Sequence, residues 1–307
     1  MNPTTTHFQR TLLAGLVAAG LSACGGGGSD SGGTGSFSLS ITDAPVDNVT
    51  EVVVTFTAVT LKPADGDAIT ITLDTPQSIN LLDYQNGASL TLVEDETVTA
   101  GDYAWIRLEL DQDNTYIVDG TGQHDLTIPS SAQTGLKLNN SFALAADEML
   151  AYTIDFNLRQ SVHLTGAGDY IMRPTLRMVK DDEAGTLKGS VDVATVTSSD
   201  PSCSTPMAVY VFEEGDSVDD MDGDDGDPIA TVNLAMDGVN DYTVSPLDPG
   251  TYTVALACNS DQDTAEDGDP ATDDDNYGET GDADDMSFYG EANVTITAGE
   301  MTTHDFN

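Results

Sequence analysis

From Phe37 onwards the apolar positions of the chain recur with period two. Phe37, Leu39 and Ile41 alternate with Ser38, Ser40 and Thr42, the spacing of a strand with one face in a core. Tyr152, Ile154, Phe156 and Leu158 alternate in the same way with Thr153, Asp155, Asn157 and Arg159. Residues 52–59 are apolar on one face and mostly apolar on the other, which predicts a central strand covered on both sides. Further strands are predicted over 68–73, 88–93, 103–111, 134–144 and 169–179, punctuated by turn residues at Asp65-Gly66, Asn86-Gly87, Asp119-Gly120 and Gly166-Ala167-Gly168. A second series, 185–196, 208–212, 230–234, 242–244, 251–257 and 291–297, reads as the short strands of a sandwich interrupted by acidic loops at 213–227 and 259–285. With little sign of a long period-3.6 stretch, the expected fold class is all-β.

The first residues have a different pattern. An apolar run over 12–23 stands behind Arg10 and is too short to span a bilayer, for which about 20 apolar residues are needed, but it suits a secretory signal peptide. Its end, Leu21-Ser22-Ala23-Cys24, resembles the lipobox of bacterial lipoproteins. That resemblance implies cleavage before Cys24, acylation of its thiol and of the new N-terminus, and a durable membrane anchor. Gly25 stands where an aspartate favours retention in the inner membrane, so the expected location is the cell envelope of a Gram-negative bacterium, lipid-anchored in the outer membrane. Residues 25–36 are Gly, Ser, Thr and Asp only, a flexible tether that holds the β-rich remainder of the chain on the order of 20 Å from the anchor.

Charge divides that remainder. The formal net charge is -44, and all nine Lys and Arg lie in residues 1–188, whereas 189–307 hold 29 acidic residues and no basic one. Such a surface repels nucleic acid and anionic head groups, which excludes nucleic-acid binding. Asp outnumbers Glu by 41 to 12, a bias that fits short, hydrated carboxylates keeping a protein soluble in salt. The shift in charge near Asp181-Asp182-Glu183-Ala184-Gly185 divides the chain into a signal peptide (1–23), a lipidated cysteine with its tether (24–36) and two β-sandwich-like domains (37–182 and 185–307). Cys203 and Cys258 lie in the second of these. In an oxidising compartment they are expected to pair, closing a loop worth roughly 4 kcal/mol, with buried free thiols as the alternative.

Residues 36–180 resemble the bacterial lipoprotein domain of unknown function numbered family 4382. The resemblance rests on Ser40-Ile41-Thr42-Asp43-Ala44-Pro45-Val46-Asp47, Lys62-Pro63-Ala64-Asp65-Gly66, Asn80-Leu81-Leu82, Gln85-Asn86-Gly87-Ala88 and Gly101-Asp102-Tyr103-Ala104-Trp105-Ile106-Arg107-Leu108. It continues through Gln133-Thr134-Gly135-Leu136-Lys137-Leu138, Ile154-Asp155-Phe156-Asn157-Leu158-Arg159-Gln160-Ser161-Val162 and Arg173-Pro174-Thr175-Leu176-Arg177. It implies a β-rich exported domain without an established activity. The second half is similar to the transthyretin-like regulatory sandwich of carboxypeptidases and to starch-binding-like folds. That likeness is carried by Gly185-Thr186-Leu187-Lys188-Gly189-Ser190-Val191, the strand-turn-strand of residues 242–254 through Pro249-Gly250, and Val294-Thr295-Ile296-Thr297-Ala298-Gly299-Glu300.

Catalytic chemistry finds little footing. His7 lies in the signal peptide, His304 near the C-terminus, and His124 and His163 are isolated in sequence. No His-Glu-x-x-His, Gly-x-Ser-x-Gly or phosphate-cradling glycine motif occurs. Because basic residues are scarce, Arg107, Arg159, Arg173 and Arg177 stand out beside Asp43 and Asp155, and the expected role is structural pairing, with an anion pocket as the alternative. Calcium is the ligand the composition favours, since weak extracellular sites are built from oxygen-rich loops. Asp220, Asp222 and Asp224, with Asp227 in the same stretch, have the Asp-x-Asp-x-Asp spacing for it, but Asp225 holds the sixth position where an EF-hand loop wants glycine and no glutamate stands at the twelfth, while Asp273 and Asp275 precede a suitably placed Gly278. The expected function is a non-enzymatic envelope protein, bound to the membrane through its lipid, whose C-terminal acidic loops take divalent cations. The alternative is a carbohydrate- or peptide-binding surface module.

Overall fold

The computed structural model describes residues 32–129, 135–221, 226–234, 240–263 and 286–307. Their chain is all-β, with two short α-helices, Leu158–Ser161 and Val193–Ser199, among the described residues. Thirteen strands come from the first half: β1 (Thr34–Ala44), β2 (Val49–Pro63), β3 (Ile69–Asn80), β4 (Leu90–Thr99), β5 (Gly101–Leu110), β6 (Tyr116–Asp119), β7 (Gly122–Thr127), β8 (Leu136–Leu138), β9 (Phe142–Leu144), β10 (Met149–Asn157), β11 (Val162–Leu164), β12 (Tyr170–Met172) and β13 (Leu176–Lys180). Seven come from the second: β14 (Gly185–Ser190), β15 (Met207–Glu213), β16 (Ala230–Asn233), β17 (Asp241–Leu247), β18 (Gly250–Cys258), β19 (Ser287–Ile296) and β20 (Met301–Thr303).

In the first half a four-stranded sheet of order β13-β10-β1-β4 faces a larger sheet of order β11-β12-β7-β6-β2-β5-β8, with β3 and β9 pairing on β2 and β5. The alternation of β1 sets its role, because Phe37, Leu39 and Ile41 are fully buried while Ser38 and Ser40 are not. Strand β2 explains why residues 52–59 are apolar at both parities. A bulge between Phe56 and Ala58 shifts the register against β3 and β5, so the core residues are Val52, Val54 and Phe56 before it and Val59 and Leu61 after it. One inserted residue reverses the inward phase. Aromatic rings close the core, with Tyr103 stacked on Phe142 at 4.8 Å and Phe56 edge-on to Phe156 at 6.2 Å.

The second half has its own core between a three-stranded sheet, β17-β14-β20, and a four-stranded one, β16-β15-β18-β19. Leu187, Val209, Val211, Leu247, Val254 and Leu256 are fully buried there. Cys203 and Cys258 form a disulfide at the end of β18, with Cα atoms 4.8 Å apart. The outer face of β15 carries a smaller cluster, in which Tyr210, Phe212 and Phe288 receive Met221 from the first acidic loop.

Several sequence boundaries need correction. The strand read through Arg159 ends at Asn157, whose side-chain oxygen accepts from the Gln160 amide at 3.2 Å and so caps a one-turn helix. The strand read over 185–196 ends at Ser190, because Asp192 caps the helix Val193–Ser199 by accepting from the Thr195 amide at 3.0 Å. The cap overrides the β-branched composition of Val193, Thr195, Val196 and Thr197. Residues 169–179 form two strands, since Pro174 offers no N–H to continue the ladder. The polar hairpin β6-β7 around Asp119-Gly120 was legible only as a turn.

Candidate functional site

The two cores meet along a polar seam within the compact unit Gly32–Asn307. Its centre is Arg159, placed there because the chain leaves β10 as a helix instead of continuing as a strand. The short helix is locked by Ser161, whose hydroxyl donates to the Asn157 carbonyl at 2.5 Å and accepts from the Thr175 amide at 2.9 Å. The Arg159 side chain, 1% exposed, pairs with the Asp47 carboxylate and enters the second half. There it donates to the Ser260 carbonyl and to Asn233 Oδ1, the latter at 2.7 Å, and lies over the Tyr210 ring at 5.8 Å. Asn233 in turn donates to Asp47 at 3.2 Å. A buried guanidinium is costly unless its donors are met; these partners meet the two Nη groups from both halves, while the buried Nε has no hydrogen-bond partner among the described residues. Burial pushes the Asp47 carboxyl up, against the opposing effect of Arg159.

The same network reaches the stems of the two acidic loops. The buried Asp263 carboxylate accepts from the Tyr210 hydroxyl through one oxygen and from the Met221 amide, at 3.1 Å, through the other. Residue 221 belongs to the loop 213–227 and residue 263 to the loop 259–285, so one carboxylate ties the two loops together. Burial raises Asp263 above the usual carboxylate range, and it drives the Tyr210 hydroxyl well above its ordinary value. Asp220 beside them is pushed up to about 6, first by burial and then by Asp263 and Asp219.

The predicted metal residues fall in different places. Asp220 lies at these stems. Asp227 accepts from Gln160 Nε2 across the seam at 2.5 Å. Asp222, Asp224, Asp273 and Asp275 lie outside the described residues, as does Cys24. No group of three or more His, Cys, Asp or Glu among the described residues has the arrangement to hold a metal ion. Of the arginine group, Arg177 pairs with Asp155 at 2.7 Å, its cross-strand neighbour in β10. Arg107 lies over Trp105 at 4.6 Å and beside Glu109 at 3.9 Å. Asp43 accepts from Gln85 at 3.4 Å, and Arg173 sits exposed in the turn before β13.

Sequence reading missed two groupings. Asp47, Asn233, Tyr210 and Asp263 gave no local signal, being four positions scattered among 53 acidic residues and many polar ones. His124, isolated in sequence, shares Asp119 with Thr121 and Tyr170: Asp119 Oδ1 meets His124 Nε2 at 3.0 Å and Oδ2 accepts from the Tyr170 hydroxyl at 3.0 Å. Hydrogen bonds from Thr121, then from Tyr170 and His124, hold the Asp119 carboxyl well below the usual range. The group closes the β6-β7 hairpin.

No curated protein matches the chain. Among solved structures it is similar to the Bacillus anthracis TIE protein, with 11% identity, 89% of this chain and 34% of that chain covered, and a TM-score of 0.20. The chain thus spans about a third of that protein's length. It is also similar to the minor pilin of Streptococcus agalactiae, with 12% identity, 88% and 94% covered and a TM-score of 0.20. A DUF3823 family protein from Bacteroides uniformis shows 9% identity, 85% and 99% covered and a TM-score of 0.16. Residues 34–174, from the start of β1 to the segment before β13, match the family described as Domain of unknown function (DUF4382).

Proposed function

We propose that this is a non-enzymatic, lipid-anchored protein of the cell envelope, held in the outer membrane by acylated Cys24, whose acidic half takes up divalent cations. The observation that carries the reading is the crowding of carboxylates at the loop stems. Burial, and after it the proximity of Asp263 and Asp219, raises the Asp220 carboxyl to about 6, and a divalent cation relieves such a penalty by supplying the missing positive charge. The stems are held in place by Met221 in its apolar cluster and by the Asp263 hydrogen bonds, which favours a shared site over two separate loops.

Strand β1 separates the proposed tether from the seam. The tether enters at Thr34, whose carbonyl accepts from the Asp147 amide at 2.9 Å, and the strand ends at Ala44, close to Asp47 and the seam. Eleven extended residues separate these ends by about 33 Å. The residues that follow the proposed anchor thus join the described chain at the end of β1 away from the seam.

The test is calorimetric titration of the chain after Cys24, made without lipid, with calcium chloride in low and high sodium chloride. Saturable heat that survives salt supports the reading, whereas a signal that salt screens and that never saturates rejects it. The anchor is tested separately, by mass measurement of the N-terminal peptide and by release of a Cys24→Ser variant from the membrane fraction.

A further inference from the structure

The outward face of β5 carries a group of side chains that the seam and the acidic loops leave unused. Register sets Thr70, Thr60, Arg107 and Lys137 side by side on β3, β2, β5 and β8, with Lys62 and Trp105 as the neighbouring pair. The Arg107 guanidinium lies over the Trp105 ring at 4.6 Å, and Lys137 Nζ lies 5.0 Å from the same ring. Gly135, at a φ of 61°, lets the arginine run there. A Cβ at that glycine would fall 3.0 Å from Arg107 Cγ and 3.2 Å from its Cδ, so the arginine stem rests directly on the glycine backbone.

Two cations directly opposite each other weaken a sheet. The chain has 53 acidic residues, yet the carboxylate beside this pair is Glu109 alone among the described residues, 3.9 Å from Arg107 and accepting from Thr60 at 3.1 Å. Lys137 is exposed and has no carboxylate within ion-pair distance among the described residues. Lys62 donates to the carbonyls of Pro63 and Gly66, which leaves its charge in place. A lysine on a short edge strand such as β8 is an ordinary guard against pairing with another sheet. That does not account for Arg107, because β5 has β2 on one side and β8 on the other. The face thus sets three cations against one carboxylate, in a chain whose net charge is -44.

From this arrangement we infer that the cationic face docks the acidic half of a second copy of the chain. Residues 189–307 carry 29 carboxylates and no basic residue, and they are present in the same amount as the face they complement. A sheet face four strands wide, about 19 Å across, is open and offers no enclosure to a small anion. It suits another protein surface. The patch is smaller than the roughly 800 Å² per partner of a stable interface, so the contact is transient. Because the face and its complement are different surfaces of one molecule, the contact runs head to tail and extends into open chains instead of closing as a symmetric pair. The net charge opposes association at long range. At about 0.15 M salt, charges more than about 8 Å apart are largely screened, and the local pairing decides.

The experiment mixes ¹⁴N- and ¹⁵N-labelled chain after Cys24, with EDTA present so that no divalent cation bridges carboxylates. A carbodiimide then joins lysine amines to neighbouring carboxylates, and sedimentation velocity follows association over a concentration series. The expected result is a link from Lys137 of one isotopic form to a carboxylate within 189–307 of the other. The sedimentation coefficient is expected to rise with protein concentration at about 0.15 M sodium chloride and to stop doing so at about 1 M. Lys137→Glu changes an exposed side chain outside the core, so it is expected to keep the melting temperature and to abolish the concentration dependence. Arg107→Gln retains the Lys137 amine and is expected to lower the yield of the mixed-isotope link. The inference is overturned if the chain stays monomeric at every concentration, if Lys137→Glu associates as the unaltered chain does, or if the mixed-isotope links join first halves only. Alginate bound at the face of a chain that stays monomeric would overturn it too, assigning the cations to an acidic polysaccharide.

Discussion

Arg159 and Asn233, separated by 74 positions and belonging to different cores, share a 2.7 Å hydrogen bond, and the same guanidinium is paired with Asp47. Truncating one partner of a buried ion pair leaves the other charge uncompensated, at a cost of about 3–5 kcal/mol. Arg159→Met is therefore expected to lower stability by that amount, measured by denaturant unfolding. Adding Asp47→Asn removes the stranded carboxylate, so the double variant is expected to be more stable than Arg159→Met alone. If the double variant is the less stable of the two, Asp47 is not the charge that Arg159 compensates.

The residues of this seam show what a sequence does and does not carry. The period-two pattern of Phe37, Leu39 and Ile41 placed β1 because alternation is a local property that burial enforces directly. Arg159 was noticeable because so few basic residues surround it, yet the alternation of 152–158 assigned it to a strand. One hydrogen bond, from the Gln160 amide to Asn157, decided otherwise. Asp47, Tyr210, Asn233 and Asp263 were not legible at all, since nothing local distinguishes them from their neighbours until the two cores are packed together. The same holds for the Phe56–Ala58 bulge in β2, which a doubly apolar segment conceals.

The disulfide bears on the seam as well as on the second core. Cys258 leads through Asn259 into the 3-10 turn Ser260–Gln262, and the Ser260 carbonyl accepts from Arg159. Both sulfurs are buried, and the bridge closes a separation of 55 residues, for which the loop-entropy model gives about 4 kcal/mol. Replacing both cysteines by Ala is expected to cost roughly that much in denaturant unfolding. Mild reductant without denaturant is expected to leave the bridge intact, as read by thiol labelling.

Gly189 tests the second sheet at a single atom. A Cβ there would fall 1.6 Å from the carbonyl oxygen of His304, the same carbonyl that accepts from the Tyr242 hydroxyl at 2.6 Å. The obstacle is backbone, so it cannot rotate aside, and β20 must separate from β14. Gly189→Ala is expected to destabilise by about 2 kcal/mol or more, with faster amide hydrogen exchange at Thr302 and Thr303. Unchanged exchange at those positions would mean that the β14-β20 pairing does not depend on this close approach.

Asp220 provides the pH-dependent prediction, and its sign comes from the direction of the shift. Its carboxyl titrates at about 6 in the folded chain against an ordinary 3.8, so the folded state holds this proton more tightly than the unfolded chain. Ionising Asp220 thus removes stability as the pH rises from about 4 to about 6, and the penalty is constant above that. The group is only half-buried, and after solvent screening the cost is about 1 kcal/mol. Asp220→Asn is expected to stabilise the chain by that amount at about pH 7.5 and to make no difference at about pH 3, measured by chemical denaturation. Calcium bound at the loop stems relieves the same penalty, so it is expected to raise the stability of the unaltered chain at about pH 7.5 far more than at about pH 4.5. In Asp220→Asn the calcium increment is expected to shrink. An equal increment in both proteins would place any bound cation away from Asp220 and disconnect the raised carboxyl from cation uptake.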